Sequence, residues 1–236
     1  MNRLVFGTLL LAGLAMPALA VPQNNQSPDA PPAAIDRPAE PNFAFDDDGG
    51  KAQIVPANFT VTGPKTFHGG PVLASTQQVS IFLGAGWGDA QIRGREASLL
   101  DVTASAGDAQ VTELKQHSIK TMRAAPKLED FTDLSQSKVN DLTIQQKLSD
   151  MLKSKALPTP TAGTVFVIFL APGIQSTLGG LQGGVDYAAY HNFVNLEAGE
   201  IHYVVVPFHE NAATHSAAAT RAFAETALNP NGQGWF

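Results

Sequence analysis

The sequence predicts an α/β or α+β fold, in which a single domain packs a mixed, mainly parallel sheet against two to three helices. Two apolar, β-branched runs are typical of strands, Thr164 to Leu170 and Ile201 to Val206. The first is apolar at both parities, as expected when both faces of a strand are buried. Two further segments are typical of helices, the amphipathic Thr143 to Lys153 and the alanine-rich Ala212 to Leu228.

The first half of the predicted domain contains weaker signals. Val79 to Leu83 predicts a short strand. Gln91 to Ala106 predicts a helix with a broad apolar face, and Gly107 is suited to cap it. Val111 to Ala125 fits either a strand at the sheet edge or a short helix, and both readings stay open.

The second half ends in the most regular patterns of the chain. The glycine-rich run Leu178 to Gly184 predicts a mobile loop. Tyr187 to Phe193 is expected to pair with Ile201 to Val206 as a hairpin turning at Leu196 to Glu200. Pro and Gly directly after Leu228 are expected to stop the last helix.

The N-terminal region predicts export. Residues 1–20 carry one cation, Arg3, followed by the apolar run Leu4 to Leu14 and small residues, which is typical of a cleaved signal peptide. That run is too short to span a bilayer, so we expect no transmembrane span after cleavage. Residues 21–58 are rich in Pro, Ala, Asn and Asp and predict a disordered leader, so that residues 59–236 form the globular domain.

The net charge of the chain limits the kinds of partner that it can bind, and its lack of cysteine excludes disulfides. The full chain carries a net charge of −6, and loss of Arg3 with the signal peptide makes it −7. An acidic surface of this kind offers no electrostatic footprint for nucleic acid or for an anionic membrane. The chain has no Cys, so the exported domain rests on its core without disulfides.

The end of the chain carries a family resemblance. The stretch from Thr220 to Phe236, which contains Asn-Pro-Asn-Gly-Gln-Gly-Trp, resembles the end of the bacterial branch of the EXORDIUM-like (phosphate-induced protein) family. That family reads Ser-His-Glu-Leu-Ala-Glu-Ala-x-Thr-Asp-Pro-x-Gly-x-Gly-Trp-Tyr. Its His-Glu-x-x-Glu resembles a zinc-peptidase helix. Here Arg221 replaces the His and Ala222 replaces the first Glu, whereas Glu225 remains.

The resemblance implies a fold and a location. Weaker similarities extend back to about Thr66 and include Tyr187 to Phe193, which resembles the family's Gly-Tyr-His-x-x-Phe element. They imply a zincin-like plan in the order strand, helix, strand, hairpin and site helix. Plant members of the family are linked to cell-wall growth responses. The resemblance therefore implies a secreted or periplasmic protein with an envelope or extracellular ligand of unknown identity.

The histidines are the candidate metal ligands. Four of the six lie between His191 and His215, and a zinc peptidase needs two or three such ligands, an open position and a general base. His209-Glu210 begins a His-Glu-x-x-His pattern, but position 213 is Ala. Arg221 cannot ligate a metal because its guanidinium stays protonated, and it is spaced to pair with Glu225.

Three readings remain open from the sequence. In the first, an exported protein with a decayed zinc site acts by binding a ligand and holds no metal. Glu225 is then the residue that remains of the catalytic motif. In the second, it is an active metal-dependent hydrolase with zinc on the three histidines and Glu225. In the third, the family likeness concerns the fold alone. The binding candidates are Arg221, His191, His209 and His215. For either of the first two readings, we expect His191, His209 and Glu225 to lie close together.

Overall fold

The computed structural model describes residues 43–44, 51–57, 65–102, 108–117, 119, 121–124, 128–130 and 137–236. All of these belong to one compact unit, Ala39–Phe236. The predicted signal peptide and most of the predicted leader lie outside the described residues, as does the predicted cap at Gly107.

The described residues form eleven strands and four helices. The strands are β1 Phe43–Ala44, β2 Lys51–Pro56, β3 Ser75–Leu83, β4 Thr121–Ala124, β5 Leu128–Asp130, β6 Lys138–Asn140, β7 Thr164–Leu170, β8 Gln175–Leu178, β9 Leu181–Gln182, β10 Tyr187–Leu196 and β11 Gly199–Val206. The helices are α1 Ala90–Leu99, α2 Asp108–Gln116, α3 Asp141–Lys153 and α4 Ala212–Leu228, and a 3-10 turn covers Ala85–Gly88.

The described strands form a large mixed sheet and a small one. The large sheet has the order β1-β2-β10-β11-β7-β3-β4, with β5 also pairing with β3. The strands β11, β7, β3 and β4 pair in parallel, whereas β1, β2, β10 and β11 pair in antiparallel fashion. The small sheet has the order β6-β8-β9. The predicted mixed α/β fold is therefore confirmed.

The central strand β7 shows why both faces of the sheet need a cover. Every residue of β7 is buried, and its side chains alternate between two cores because neighbouring residues of a strand point to opposite faces. Phe166, Ile168 and Leu170 join the core under α3. Val165, Val167 and Phe169 join the core under α4.

The two main helices cover these two faces with different side chains. From α3, the sheet receives the larger apolar residues Ile144, Leu148 and Met151, in keeping with the predicted amphipathic pattern. From α4, it receives the small side chains of Ala218, Ala219 and Ala222, so that this helix lies close against β10 and β11. The alanines were expected for their helix propensity, and they also allow this close packing.

Several predicted elements are confirmed within a residue or two. The strand Thr164 to Leu170 and the helix Ala212 to Leu228 have the predicted bounds. The hairpin is confirmed, because β10 pairs with β11 down to Leu196 opposite Gly199. The open stretch Val111 to Ala125 contains both alternatives, the end of α2 and the strand β4.

Two segments that the sequence predicts to be flexible contain paired strands. The run Leu178 to Gly184 holds the turn between β8 and β9, and Gly179 and Gly180 have positive φ there. The boundary of the leader at residue 58 is too late, because β2 lies inside it and pairs with β10. Ala52 and Val55 of β2 are buried, one in each of the two cores. The apolar pattern of this strand is short and lies in a polar stretch, so the sequence did not indicate a strand.

Candidate functional site

The helix α4 carries most of the predicted site residues. It begins at Ala212, where the Asn211 side chain accepts hydrogen bonds from the backbone N–H groups of Ala213 and Thr214. His215 lies in its first turn, whereas Arg221 and Glu225 lie in its later turns. Because an α-helix rises about 1.5 Å per residue, the ten positions from His215 to Glu225 correspond to roughly 15 Å.

An ion-pair cluster of Lys65, Arg221 and Glu225 forms the later part of the site. Arg221 Nε lies 2.7 Å from Glu225 Oε1, and Lys65 Nζ lies 3.1 Å from Glu225 Oε2. The side chains of Lys65, Arg221 and Glu225 are 7%, 13% and 17% exposed. Both carboxylate oxygens are thus held by cations in a largely dry position.

The charges of this cluster act on each other's protonation. Burial alone would raise the pKa of Glu225, but Lys65, Arg221 and His191 outweigh burial and hold that pKa below its usual value. Glu225 is therefore an anion at neutral pH. It is stabilised by its neighbours and is not poised as a general base, which would need a pKa raised toward neutrality.

His191 lies next to this ion-pair cluster, on the face of β10 that α4 covers. It is 1% exposed, and neither of its ring nitrogens has a hydrogen-bond partner among the described residues. Burial lowers its pKa to about 4, against the smaller opposing effect of Glu225. A neutral imidazole in this position can accept a proton, donate a hydrogen bond or ligate a metal.

His202 extends the same polar region along β11. Its Nε2 lies 3.3 Å from Glu200 Oε1, and burial lowers its pKa. His202 is the cross-strand partner of Phe193, which is two residues from His191, so the two imidazoles lie on the same face of the hairpin. The sequence offered a signal for this pair, since both residues belong to the predicted hairpin.

A second group, which we call the aromatic histidine cluster, surrounds the start of α4. It consists of Trp87, Phe169, Phe208, His209 and His215. The His215 ring lies 5.6 Å from the rings of both His209 and Phe208, 5.7 Å from Phe169 and 6.1 Å from Trp87, measured between centroids.

Arg95 of α1 closes this cluster from the side. Its guanidinium carbon lies 5.1 Å from the centroid of Phe208, and its Nη1 donates to the backbone carbonyl of His209 at 2.9 Å. Burial, with smaller contributions from His209 and Arg95, lowers the pKa of His215 to about 3. His215 is therefore neutral at any pH near 7.

The predicted site residues thus form two separate groups. The structure brings His191, Arg221 and Glu225 together, but His209 contacts His215 at the opposite end of α4. The expectation that His209 would join His191 and Glu225 is wrong. The separation follows from the position of His209 just before α4, where its ring contacts His215 in the first turn, whereas Glu225 lies roughly 15 Å further along the helix.

The described residues contain no group of three or more His, Asp or Glu side chains arranged to hold a metal ion. Zinc on His191, His209 and His215 together would need both ends of α4 at once. The residues that could ligate an ion locally are His191 with Glu225, or His209 with His215.

A buried carboxylate on the other face of the sheet was not predicted. Asp141 starts α3 and accepts hydrogen bonds from Tyr203 Oη, Asn192 Nδ2 and Gln145 Nε2 at 2.8 to 2.9 Å. Burial, and next the Asp141 charge, raise the pKa of Tyr203 well above its usual value, so its hydroxyl remains a donor. These contacts anchor α3 to the hairpin and satisfy the charge with neutral donors.

The available signal for this network was the spacing of polar residues in β10. Tyr190 and Asn192 are two positions apart and therefore share one face of the strand, opposite to His191. All three tyrosines of the chain, Tyr187, Tyr190 and Tyr203, are fully buried on that face. The partner Asp141 is distant in sequence, so only the fold reveals the contact.

Comparison with known proteins gives no further assignment. The chain matches no protein-family model, no curated protein and no solved structure at a significant level. The EXORDIUM-like resemblance therefore stays a prediction based on the C-terminal motif. In the part of the chain that the structure describes, every helix is too short or too polar to cross a bilayer.

Proposed function

We propose that the chain is an exported, EXORDIUM-like protein whose zinc-peptidase-like helix has become a structural element, and that it acts by binding an envelope or extracellular ligand. The observation that carries this proposal is the engagement of Glu225. Its two carboxylate oxygens face Arg221 and Lys65 at 2.7 and 3.1 Å, where a zinc-peptidase site would present them to a cation.

The side chains of Lys65 and Arg221 make the position beside Glu225 unfavourable for a metal cation. A divalent ion beside Glu225 would have to displace Lys65 or Arg221, leaving a buried ammonium or guanidinium without its counter-charge. Breaking a buried pair in this way costs on the order of 3 kcal/mol. The guanidinium of Arg221 cannot lose its proton to become a ligand.

The position of the missing general base supports the same conclusion. Ala222 is fully buried in the core between α4 and the sheet. A zinc peptidase uses a glutamate at this place to activate the metal-bound water. The methyl group of Ala222 belongs to the same apolar core as Val204 and Val206, so it contributes to stability and has no acid–base chemistry.

The hydrolase reading gains no support from the geometry. It needs His191, His209, His215 and Glu225 around one ion, whereas the first and last of these lie near the end of α4 and the other two near its start. No observation in the described residues favours another reaction at either group.

Metal analysis of the purified mature protein tests this proposal. Wild type is expected to contain less than about 0.1 equivalent of zinc by mass spectrometry after equilibration with the ion. Arg221→His removes the cation and supplies an imidazole beside His191 and Glu225, so this variant is expected to take up about one equivalent. Adding Glu225→Gln or His191→Ala to Arg221→His is the matched control and is expected to abolish that uptake.

Activity measurements complete the test. Wild type is expected to show no hydrolysis of peptide or ester substrates above a denatured control. Stoichiometric zinc in wild type that is lost on His191→Ala, or hydrolysis that is lost on Glu225→Gln, would overturn the proposal. Failure of Arg221→His to bind zinc would count against descent from a metal site.

A further inference from the structure

The aromatic histidine cluster contains a buried imidazole whose bonding capacity is unused. His215 is 1% exposed, and both of its ring nitrogens lack a hydrogen-bond partner among the described residues. A neutral imidazole carries one N–H and one lone pair, and leaving such a group unpaired in a dry site is unfavourable. A ligand that accepts the lone pair would remove part of this cost.

The partner imidazole is already oriented by a backbone contact. His209 Nε2 lies 2.8 Å from the carbonyl oxygen of Ala188, and a carbonyl oxygen can only accept, so Nε2 carries the proton. The lone pair of the neutral ring is therefore on Nδ1. Metal-ligating histidines are commonly fixed in this way, by an N–H group donated to a backbone carbonyl.

The spacing of the two rings fits a shared ion. With metal–nitrogen distances of about 2.0 Å, an ion bound to one nitrogen of each imidazole lies roughly 3 Å from each ring centroid, which sets the centroids roughly 5–6 Å apart. The observed centroid distance between His209 and His215 is 5.6 Å. His209 is only half-buried, so one of the two ligands is reachable from solvent.

The surroundings select the charge of that ion. Arg95 places a positive charge beside this pair of histidines, because its guanidinium contacts the Phe208 ring and donates to the backbone carbonyl of His209. The remaining contacts are the apolar rings of Trp87, Phe169 and Phe208. Two neutral donors are too few for zinc, which takes four ligands in structural sites and three plus a water in catalytic ones.

We infer that His209 and His215 bind one monovalent d10 metal ion, Cu(I), between their imidazoles. A monovalent ion is repelled less by Arg95 than a divalent one and loses less hydration energy on entering an aromatic site. Filled-shell monovalent copper accepts two nitrogen ligands, and the rings of Trp87, Phe169 and Phe208 shield the His215 side of the site from water. This site lies at the other end of α4 from Glu225 and does not depend on the proposed function.

Anaerobic titration tests the inference. The mature protein is titrated with Cu(I) in the presence of ascorbate and a colorimetric Cu(I) chelator as competitor. A Trp235→Phe background leaves Trp87 as the single tryptophan, and its fluorescence reports events at the stacked His215 ring. One equivalent of Cu(I) is expected to bind and to quench Trp87. Zn(II) at the same concentration is expected to bind at least 100-fold more weakly.

Matched histidine variants locate the ion. His215→Phe suits the aromatic surroundings and is expected to weaken Cu(I) binding at least 100-fold. His209→Gln, at a half-buried position that tolerates change, is expected to do the same and guards against misfolding of the first variant. His191→Phe replaces an equally buried imidazole in the other group and is expected to change the affinity less than threefold.

The outcomes separate this inference from its alternatives. Absence of Cu(I) binding by folded wild type would overturn it, as would binding that survives both His209→Gln and His215→Phe. Copper loss with His191→Phe alone would place the ion in the other group and would also overturn it. Because the zinc measurement on Arg221→His concerns the opposite end of α4, either proposal can fail without the other.

Discussion

The carboxylate of Glu225 determines the character of the second half of α4. A single acid between Lys65 and Arg221 leaves a net positive charge in a largely buried position. The pair with Arg221 is local, since residues four apart share one face of a helix. The pair with Lys65 is tertiary and ties α4 to the chain that leads into β3. Glu225 therefore serves as the counter-ion that permits both cations to be buried.

Replacing Glu225 by glutamine tests this role. Glu225→Gln leaves two buried cations without an anion and is expected to lower the free energy of unfolding by on the order of 3 kcal/mol at pH 7. The pKa of Glu225 is below its usual 4.5 in the folded protein, so its contribution is present above pH 4.5 and is lost as pH falls through the folded value. Urea unfolding at several pH values measures both effects.

The exposed residue Glu197 provides the matched control. Glu197→Gln makes the same charge change in the turn of the hairpin, where it is expected to alter stability by less than about 0.5 kcal/mol. A loss for Glu225→Gln that stays unchanged as the pH falls from 7 to the onset of acid unfolding of wild type would contradict the ionic role. A loss no larger than that of Glu197→Gln would contradict it as well.

Side-chain contacts between residues that are close in the chain could be predicted from the sequence. The pairing of Arg221 with Glu225 followed from a spacing of four residues and from nothing else. Lys65 was missed because its partner is 160 positions away in the chain, and Asp141 because two of its partners, Asn192 and Tyr203, are 51 and 62 positions away. His209 was misplaced because its contacts with the carbonyl of Ala188 and the ring of His215 depend on the path of the chain between β11 and α4, which the sequence pattern does not specify.

At the scale of single elements, α4 is defined by its two ends. Its first turn is closed by Asn211, whose side chain accepts from Ala213 N at 2.9 Å and from Thr214 N at 3.1 Å. Its last turn is followed by Asn229, Pro230 and Gly232. The alanine-rich sequence between them favours a helix, and the cap at Asn211 stabilises the start that the sequence predicts.

Loss of the cap is therefore expected to destabilise the protein measurably. Asn211→Ala removes both acceptor contacts and should lower the free energy of unfolding by about 1 kcal/mol. Asn211→Asp keeps the acceptor and should stay close to wild type. Asn140→Ala removes the equivalent cap of α3, with its Thr143 contact at 3.0 Å, and should cost a similar amount. An Asn211→Ala variant as stable as Asn211→Asp in urea unfolding would contradict the capping role.

Elements with strong periodicity were predicted well, and elements that depend on their neighbours were not. The strand β7 and the hairpin of β10 and β11 contain enough apolar or alternating residues for their secondary structure to be predicted from the local sequence. By contrast, β2 has only six residues in a stretch rich in Asp and Gly, and its pairing partner β10 begins more than 130 residues later. Because the residues around β2 are polar and its apolar pattern is short, the local sequence predicts a disordered leader instead of a strand.

At the scale of the whole molecule, the sheet separates the polar chemistry into independent regions. The Asp141 network lies under α3, whereas both histidine groups lie under α4. Along α4, the apolar packing of Ala218, Ala219 and Ala222 on the sheet stands between its first turn and Glu225. Each group therefore has its own neighbours and its own response to pH, and a substitution in one is expected to leave the other unchanged.

The strand β2, which lies between β1 and β10, also holds the C-terminal end of α4, and this contact gives a test of where the domain begins. Asn229 is fully buried, donates to Gln53 Oε1 at 2.7 Å and accepts from Gly234 N at 2.6 Å.

Asn229→Ala leaves both partners unsatisfied and should lower the free energy of unfolding by about 3 kcal/mol, whereas Gln53→Ala should lower it by about 1 kcal/mol. Because the two side chains share a hydrogen bond, a double-mutant cycle by urea unfolding should give a coupling of at least about 0.5 kcal/mol. Gln53→Ala combined with the distant Asn211→Ala should be additive. Additivity of Gln53→Ala with Asn229→Ala would instead mean that β2 contributes nothing to the end of α4, and would restore a domain that starts near residue 59.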